Sequence, residues 1–169
     1  MSESDLNLEF NDKYTLWFHD SIEKSFELDT FTKIYTINNI REYFSINNAL
    51  SSIPKMLLNN LIFIMKNDIN PLWTDEQNIN GGCISWKINK EQSLKSWENL
   101  FKMFISGEFN ELNDYNITGI SIAPKKGCNI IKLWFGSEIP QDVLNKIQLS
   151  DNCLFKDHLK VFKAYKNFL

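Results

Sequence analysis

The chain has 169 residues, enough for one domain with a real hydrophobic core and cramped for two. Its 43% hydrophobic and 23% charged residues are those of a globular chain; no run approaches the roughly 18 apolar residues of a membrane span and no secretion signal opens it, so a cytoplasmic location is expected. The formal charge of −3 argues against a coat for long nucleic acid, but it is uneven: residues 1–124 carry 10 basic and 17 acidic side chains and residues 125–169 carry 8 and 4, which points to a local basic patch or a solvated lysine-rich C-terminus.

"MSESDLNLEF" is polar, acidic and unpatterned, and a flexible tail is expected over residues 1–12, followed by a single domain over 13–169. "YTLWFHD" (14–20) and "LDTFTKIYT" (28–36) read as strands. "INNIREYFSINNAL" places Ile37, Ile40, Tyr43, Phe44 and Leu50 at helical spacing, with Thr36 as N-cap. "LLNNLIFIM" (57–65) is short and apolar, as a buried strand is, and after a polar loop "CISWKINK" (83–90) alternates as another. "SLKSWENLFKMFISGEF" aligns Leu94, Trp97, Leu100, Phe101, Phe104 and Ile105 on one helical face, with Gly107 as the stop. "ITGISIAPKKGCNIIKLWFG" (117–136) predicts a hairpin turning through Pro124, Lys125, Lys126 and Gly127. "QDVLNKIQL" carries Val143, Leu144 and Ile147 at helical intervals, and "LKVFKAYK" (159–166) alternates as a last strand. Together these predict an α+β fold, an antiparallel sheet with helices on one face and the other face open to ligand.

Cys83, Cys128 and Cys153 are odd in number and far apart, and His19 and His158 have no carboxylate or nucleophile near in sequence, so neither disulfides, a metal site nor a cofactor is expected. Both histidines read as ordinary surface or strand-end residues, the cysteines as buried thiols, and Trp17, Trp86 and Trp97 as core. Without a metal cluster or an activated nucleophile, a binding protein is expected rather than an enzyme. The loop "INPLWTDEQNINGG" (69–82) sets an indole, Trp73, among polar residues. At the sheet rim it would be joined by Phe26, by Trp134 at the end of the hairpin, and by Lys125 and Lys126 in the turn. Two flat aromatics sandwich a base, more strongly when the base is cationic, and lysines hold its phosphates.

These pieces resemble the eukaryotic translation initiation factor 4E family, whose members bind the 7-methylguanosine cap of messenger RNA. The likeness runs from about residue 14 to 166 through "YTLWF", "NDINPLWTDEQNINGG", "KINK", "SWENLFKMFISGEF" and "GISIAPKKGCNIIKLW", in that order. It implies a curved antiparallel sheet of about eight strands with three helices on the convex face, Trp73 as one wall of the cap sandwich, Trp134 near the base's methyl group and Lys125 on the phosphates. Other positions depart from the pattern. Phe26 stands where the family has tryptophan as the other wall, and Thr74 where it has the glutamate that reads the guanine edge, so that Asp75, Glu76 or main-chain groups would substitute. Cys83 replaces the arginine after Gly-Gly, and the second basic residue of the hairpin falls near Ile130, leaving Lys126 and Lys132 to compensate; strand spacing puts Lys132 on the same side as Trp134. On the convex face, where the family binds scaffold and repressor proteins, the resemblance puts Arg41, Glu98 and Lys102 at apolar positions, with Ile37 still apolar. The expected partners are thus the capped mRNA 5′ end and a scaffold or repressor protein, with no membrane and a monomeric chain. The alternative is a cap-sequestering repressor or pathogen-encoded variant with a non-standard scaffold partner; the Asn- and Ile-rich composition would suit an AT-rich genome such as that of a large virus of eukaryotes.

Overall fold

The computed structural model describes residues 3–146, 154 and 160–167. Among the described residues its frame is a curved, unclosed antiparallel sheet of seven strands, against about eight expected. The strands are β1 (Glu9–His19), β2 (Thr32–Asn39), β3 (Leu61–Lys66), β4 (Gly82–Asn89), β5 (Ile117–Lys125), β6 (Cys128–Phe135) and β7 (Lys160–Ala164), in the order β2-β1-β3-β5-β6-β4-β7. Helices α1 (Glu3–Leu6), α2 (Ile40–Ser52), α3 (Pro54–Asn59), α4 (Lys90–Ser106) and α5 (Gln141–Lys146) complete the described elements.

Period-two alternation divides the sheet's side chains between two cores. Tyr14, Leu16, Ile37, Ile62, Ile64, Ile84, Trp86, Ile120, Ile131 and Leu133 point to the helical face, where α4 brings Trp97, Leu100, Phe101 and Phe104 into the main core. The opposite parity builds a smaller cluster of Phe31, Phe63, Met65, Cys83, Trp134 and Tyr165 on the open face, flanked by half-buried Trp17. Trp86 and Trp97 are core, as expected; Trp17 is not fully covered.

α2 starts at Ile40, because β2 stays paired with β1 up to Asn39, whose side chain then accepts the Glu42 amide at 2.9 Å as N-cap. The Glu42 carboxylate reaches back to the Asn38 amide at 2.7 Å, close to the reciprocal arrangement of a capping box. The cap expected at Thr36 is therefore moved, and Ile37 lies in a strand. The apolar run at 57–65 also divides: Pro54, fixed at a helical φ, opens α3, the Asn60 side chain closes it by donating Nδ2–H to the Met56 carbonyl at 3.0 Å, and β3 begins only at Leu61. α4 ends where expected, at Gly107 in the left-handed conformation (φ +69°), its amide returning to the Met103 carbonyl.

Within residues 1–12, where a tail is expected, α1 forms from Glu3, β1 starts at Glu9, and Arg41 of α2 binds Asn7 at 3.0 Å and Glu3 at 3.7 Å. In the β5–β6 hairpin, Pro124 and Lys125 pair with Asn129 and Cys128, so the turn contracts to Lys126 and Gly127. Helix α5 and β7 fall where the sequence puts elements; the rest of the expected helix, with Ile147, lies outside the described residues, as do Cys153 and His158. Along the outer strand β2, Leu16 and Trp17 face Tyr35 and Lys33, which leaves Ile34 as the extra residue of a β-bulge.

Candidate cap-binding face

Trp73 stands on a loop that braces itself. Asp75 is its centre: one carboxylate oxygen accepts the Asn70 amide (3.0 Å) and side chain (2.9 Å), the other accepts the Gln77 amide (3.0 Å). The fully buried Asn78 donates to the Leu72 carbonyl at 2.8 Å, and the Gly81 amide closes the loop on the Asn78 carbonyl at 2.7 Å. Pro71 is buried, while Ile69 and Leu72 pack on the open-face cluster; the next residue, Trp73, remains 41% exposed. Apolar neighbours thus anchor the loop, and the indole stays at the surface.

With both its oxygens engaged inside the loop, Asp75, expected at a base edge, acts here as a brace. Thr74 and Glu76 are exposed beside it, and Glu76 has no hydrogen bond or ion pair among the described residues. An open cleft of about 660 Å³ on the loop's flank is lined by Asp68, Asn70, Thr74 and Glu76 among others. Its carboxylates make it a poor seat for a polyphosphate.

Phe26 follows β1 in the loop to β2. Its ring lies flat on His19, centroids 4.6 Å apart and planes 10° apart, and is 49% exposed; Phe26 is therefore a backed, half-open ring rather than core. His19 ends β1, the strand-end place expected of it, but is fully buried: its Nε2–H donates to the Ser25 carbonyl at 2.8 Å and its ring also meets Phe31 at 4.5 Å. This support for Phe26 was invisible to sequence spacing, because the histidine's partners lie around the bend of a loop.

Trp134 forms the floor between these loops. It is 5% exposed, donates Nε1–H to the Ser121 hydroxyl at 2.9 Å, and meets Phe63 edge-on at 5.8 Å and Tyr165 at 5.3 Å. Burial, with the Cys83 thiol beside it, pushes the Tyr165 phenol well above its ordinary range, so it stays protonated.

The lysines separate into two groups. Lys125 and Lys126 are exposed at the hairpin tip, whereas Lys132 is half-buried in mid-sheet, where β6 pairs it with Ser121 on one side and Ser85 on the other. Lys87 and Lys163, which the sequence reading did not single out, share this face by strand parity.

The helical face differs from expectation at Ile37 and Phe44. Ile37 is fully buried on β2 opposite Tyr14 and is unavailable to a partner. Arg41 is tied to the N-terminal segment, Lys102 is exposed, and Glu98 accepts a short hydrogen bond from Ser51 of α2. Burial and the Glu98 charge raise the Tyr43 phenol above its ordinary value. Phe44, expected in the core, is 41% exposed because Tyr43 takes the inward position against Phe101.

An open antiparallel sheet with a helical back, two half-exposed rings at its rim and lysines along its free face defines an α+β ligand-binding domain. The chain belongs to the eukaryotic initiation factor 4E family, whose model matches residues 9–166. This is a family of translation initiation factors, not of enzymes. Among its relatives, initiation factor isoform 4E of Arabidopsis thaliana is 22% identical over 158 residues, covering 86% of this chain and 80% of the relative. Two solved structures share the fold: C. elegans eIF4E-3 in complex with the 4E-binding protein Mextli and cap analog (TM-score 0.81, 18% identity, 95% and 94% of the two chains), and schistosome eIF4E complexed with m7GpppG and 4E-BP (TM-score 0.79, 18% identity, 95% and 90%).

Proposed function

We propose that this chain binds the 7-methylguanosine cap of mRNA and acts in translation initiation. The observation that carries the reading is two half-exposed rings beside the open-face aromatic cluster: Phe26, backed by His19 and near Phe31, and Trp73, whose neighbour Leu72 packs on that cluster. A base methylated at N7 is cationic, and the faces of aromatic rings attract cations by about 0.5–2 kcal/mol beyond ordinary stacking. In this reading Trp73 and Phe26 form the two walls, Trp134 meets the methyl group, and Lys125 and Lys126 at the hairpin tip hold the cap's phosphates. The cap complexes of the C. elegans and schistosome neighbours support it. Tryptophan fluorescence titrated with 7-methyl-GTP and with GTP tests it: the methylated nucleotide is expected to bind at least tenfold more tightly, and Trp73→Ala to abolish the difference. Equal quenching by both nucleotides would sink the proposal.

With Asp75 bound into its loop, the guanine edge falls to Thr74 and Glu76, of which only Glu76 brings a carboxylate able to accept two donors. Glu76→Gln, nearly the same size without the charge, is expected to lower 7-methyl-GTP affinity about tenfold, in keeping with charge-assisted hydrogen bonds of about 1.5–3 kcal/mol. Unchanged affinity would leave the base edge to Thr74 and the main chain.

The partner on the helical face is the second element of the proposal. Both neighbours are described with a 4E-binding protein. Here that face offers Arg41, Phe44, Glu98 and Lys102, and an apolar partner helix would have to desolvate three charges to cover it. This favours a partner with complementary charges, whether scaffold or repressor. Failure of a leucine-rich scaffold peptide to bind, measured by calorimetry, is the expected result; robust binding would remove the argument.

A further inference from the structure

Phe26 offers one face to a base, because the other lies flat on His19. His19 is fully buried among apolar groups, with Phe26 and Phe31 over it from the loop between β1 and β2 and Leu61 opposite it on β3. One of its ring nitrogens is satisfied, since Nε2–H donates to the Ser25 carbonyl. The other is not: Nδ1 is buried without a hydrogen-bond partner among the described residues. A neutral imidazole carries that as an unused lone pair, whereas a second proton would place an N–H and a full positive charge in the same dry surroundings. The carboxylates nearest to it in sequence are turned elsewhere. Asp20 accepts the Ile22 amide at 3.0 Å and Glu23 the Ser25 amide at 2.7 Å, while Lys24, Glu27 and Asp29 of the same loop are exposed. On the flanking strands, Leu61 of β3 brings no charge to His19, and Lys33 of β2 is exposed and paired with Trp17.

We infer that His19 is a positioning residue that makes cap binding depend on protons: neutral, it seats Phe26 for the base; protonated, it sets a positive charge behind the ring that the cationic base must face. The inference rests on the cap-binding reading and adds to it a control by pH. An aromatic ring draws a cation to its faces, and a charge held against one face repels a second one arriving at the other. The effect is selective, because GTP brings no positive charge on its base. Acid leaves a base methylated at N7 cationic, so the base itself contributes no loss of binding on acidification. Imidazole is the side chain suited to such a switch, its charge changing within the physiological range. The coupling is reciprocal: a cationic base stacked on Phe26 holds the proton off His19.

The test titrates the intact chain with 7-methyl-GTP and with GTP from about pH 8 to about pH 5, the range in which imidazoles change charge, with thermal melting to check the fold at each pH. Acidification is expected to lower the ratio of the two affinities about three- to tenfold, as repulsion between two charges across one ring does. His19→Phe keeps a flat ring behind Phe26 but takes no proton, and its ratio is expected to stay level over the same range. A second measurement needs no variant. The chain has two histidines, and in NMR the ring of His19 is expected to titrate at lower pH with saturating 7-methyl-GTP than with saturating GTP. A wild-type ratio that does not fall, an equal fall in His19→Phe, or the same His19 titration with both nucleotides would each overturn the switch. If the two nucleotides already bind alike at about pH 8, where imidazoles are mostly neutral, the cap-binding reading itself fails, and the switch with it.

Discussion

At the scale of the residue, the two walls of the proposed sandwich are unequal. Phe26 presents a smaller and weaker cation-binding face than an indole, and a stacked base is worth about 1–3 kcal/mol per ring. Phe26 also lies on a histidine that has used its Nε2–H on the Ser25 carbonyl. Phe26→Trp is expected to tighten 7-methyl-GTP about two- to tenfold with little change for GTP, read by fluorescence titration. Weaker binding would mean that the loop before β2 has no room for the larger ring. Trp73 and Trp134 were legible in the sequence because an indole after Pro-Leu in a polar loop, and another ending a basic hairpin, are rare in themselves. His19 was not, since its role depends on Phe26 and Phe31 folding back over it. Ile37 misled because it is spaced as well for a helix with Ile40 as for a strand with Tyr35; only the pairing with Tyr14 decides.

Elements show why the site is held as it is. The Trp73 loop has no regular structure, yet Asp75 and Asn78 between them tie down five loop residues, counting Asn70, Leu72, Gln77, and each other through the Asn78 amide and Asp75 carbonyl at 2.9 Å. Asp75→Ala removes the brace without touching the proposed ligand. It is expected to lower 7-methyl-GTP affinity about tenfold and to raise amide exchange across residues 70–78, while the melting temperature falls by only a few degrees. Unaltered exchange would show the loop to be held by its apolar anchors alone. The loop ends as tightly as it begins: a Cβ on Gly81 would stand 1.8 Å from the Phe135 carbonyl oxygen, so Gly-Gly closes the loop against β6 for steric reasons. Sequence patterning finds most of the sheet but reads residues 57–65 as one strand, because their apolar run hides the boundary between the helix that Pro54 opens and the strand that begins at Leu61. The pairing of Lys132 with Ser85 was beyond its reach. β4 ends at Asn89 and β6 begins only at Cys128, and which residues face one another depends on a register that neither strand encodes alone.

For the whole molecule, burial of tyrosines sets an alkaline limit. Burial, with Asp12 nearby, raises the Tyr14 phenol from 10.0 to about 12, and burial also raises Tyr43 and Tyr165. Each phenol keeps its proton longer in the folded chain than in the unfolded one. Between about pH 10 and 12 the unfolded state therefore binds fewer protons, and stability falls as pH rises. The melting temperature is expected to hold steady up to about pH 9 as far as these groups are concerned and to drop above pH 10, with a smaller drop in Tyr14→Phe. Identical alkaline profiles for the two proteins would show that Tyr14 ionises in the folded state as freely as in water. The fold class, the helical back and the order of the elements could be read from the sequence because both hydrophobic periods are strong. The strand count, and the division of the sheet into a large and a small core, needed the pairing.

The extra residue in β2 has a meaning for life at high concentration. An outermost strand with free main-chain groups invites a neighbouring molecule to extend the sheet, and a local kink makes that template irregular. Ile34 supplies the kink, and Lys33 beside it adds a charge that an incoming strand would have to bury. Deleting Ile34 should straighten the border and let copies associate edge to edge, seen as a concentration-dependent rise in light scattering that the native chain does not show.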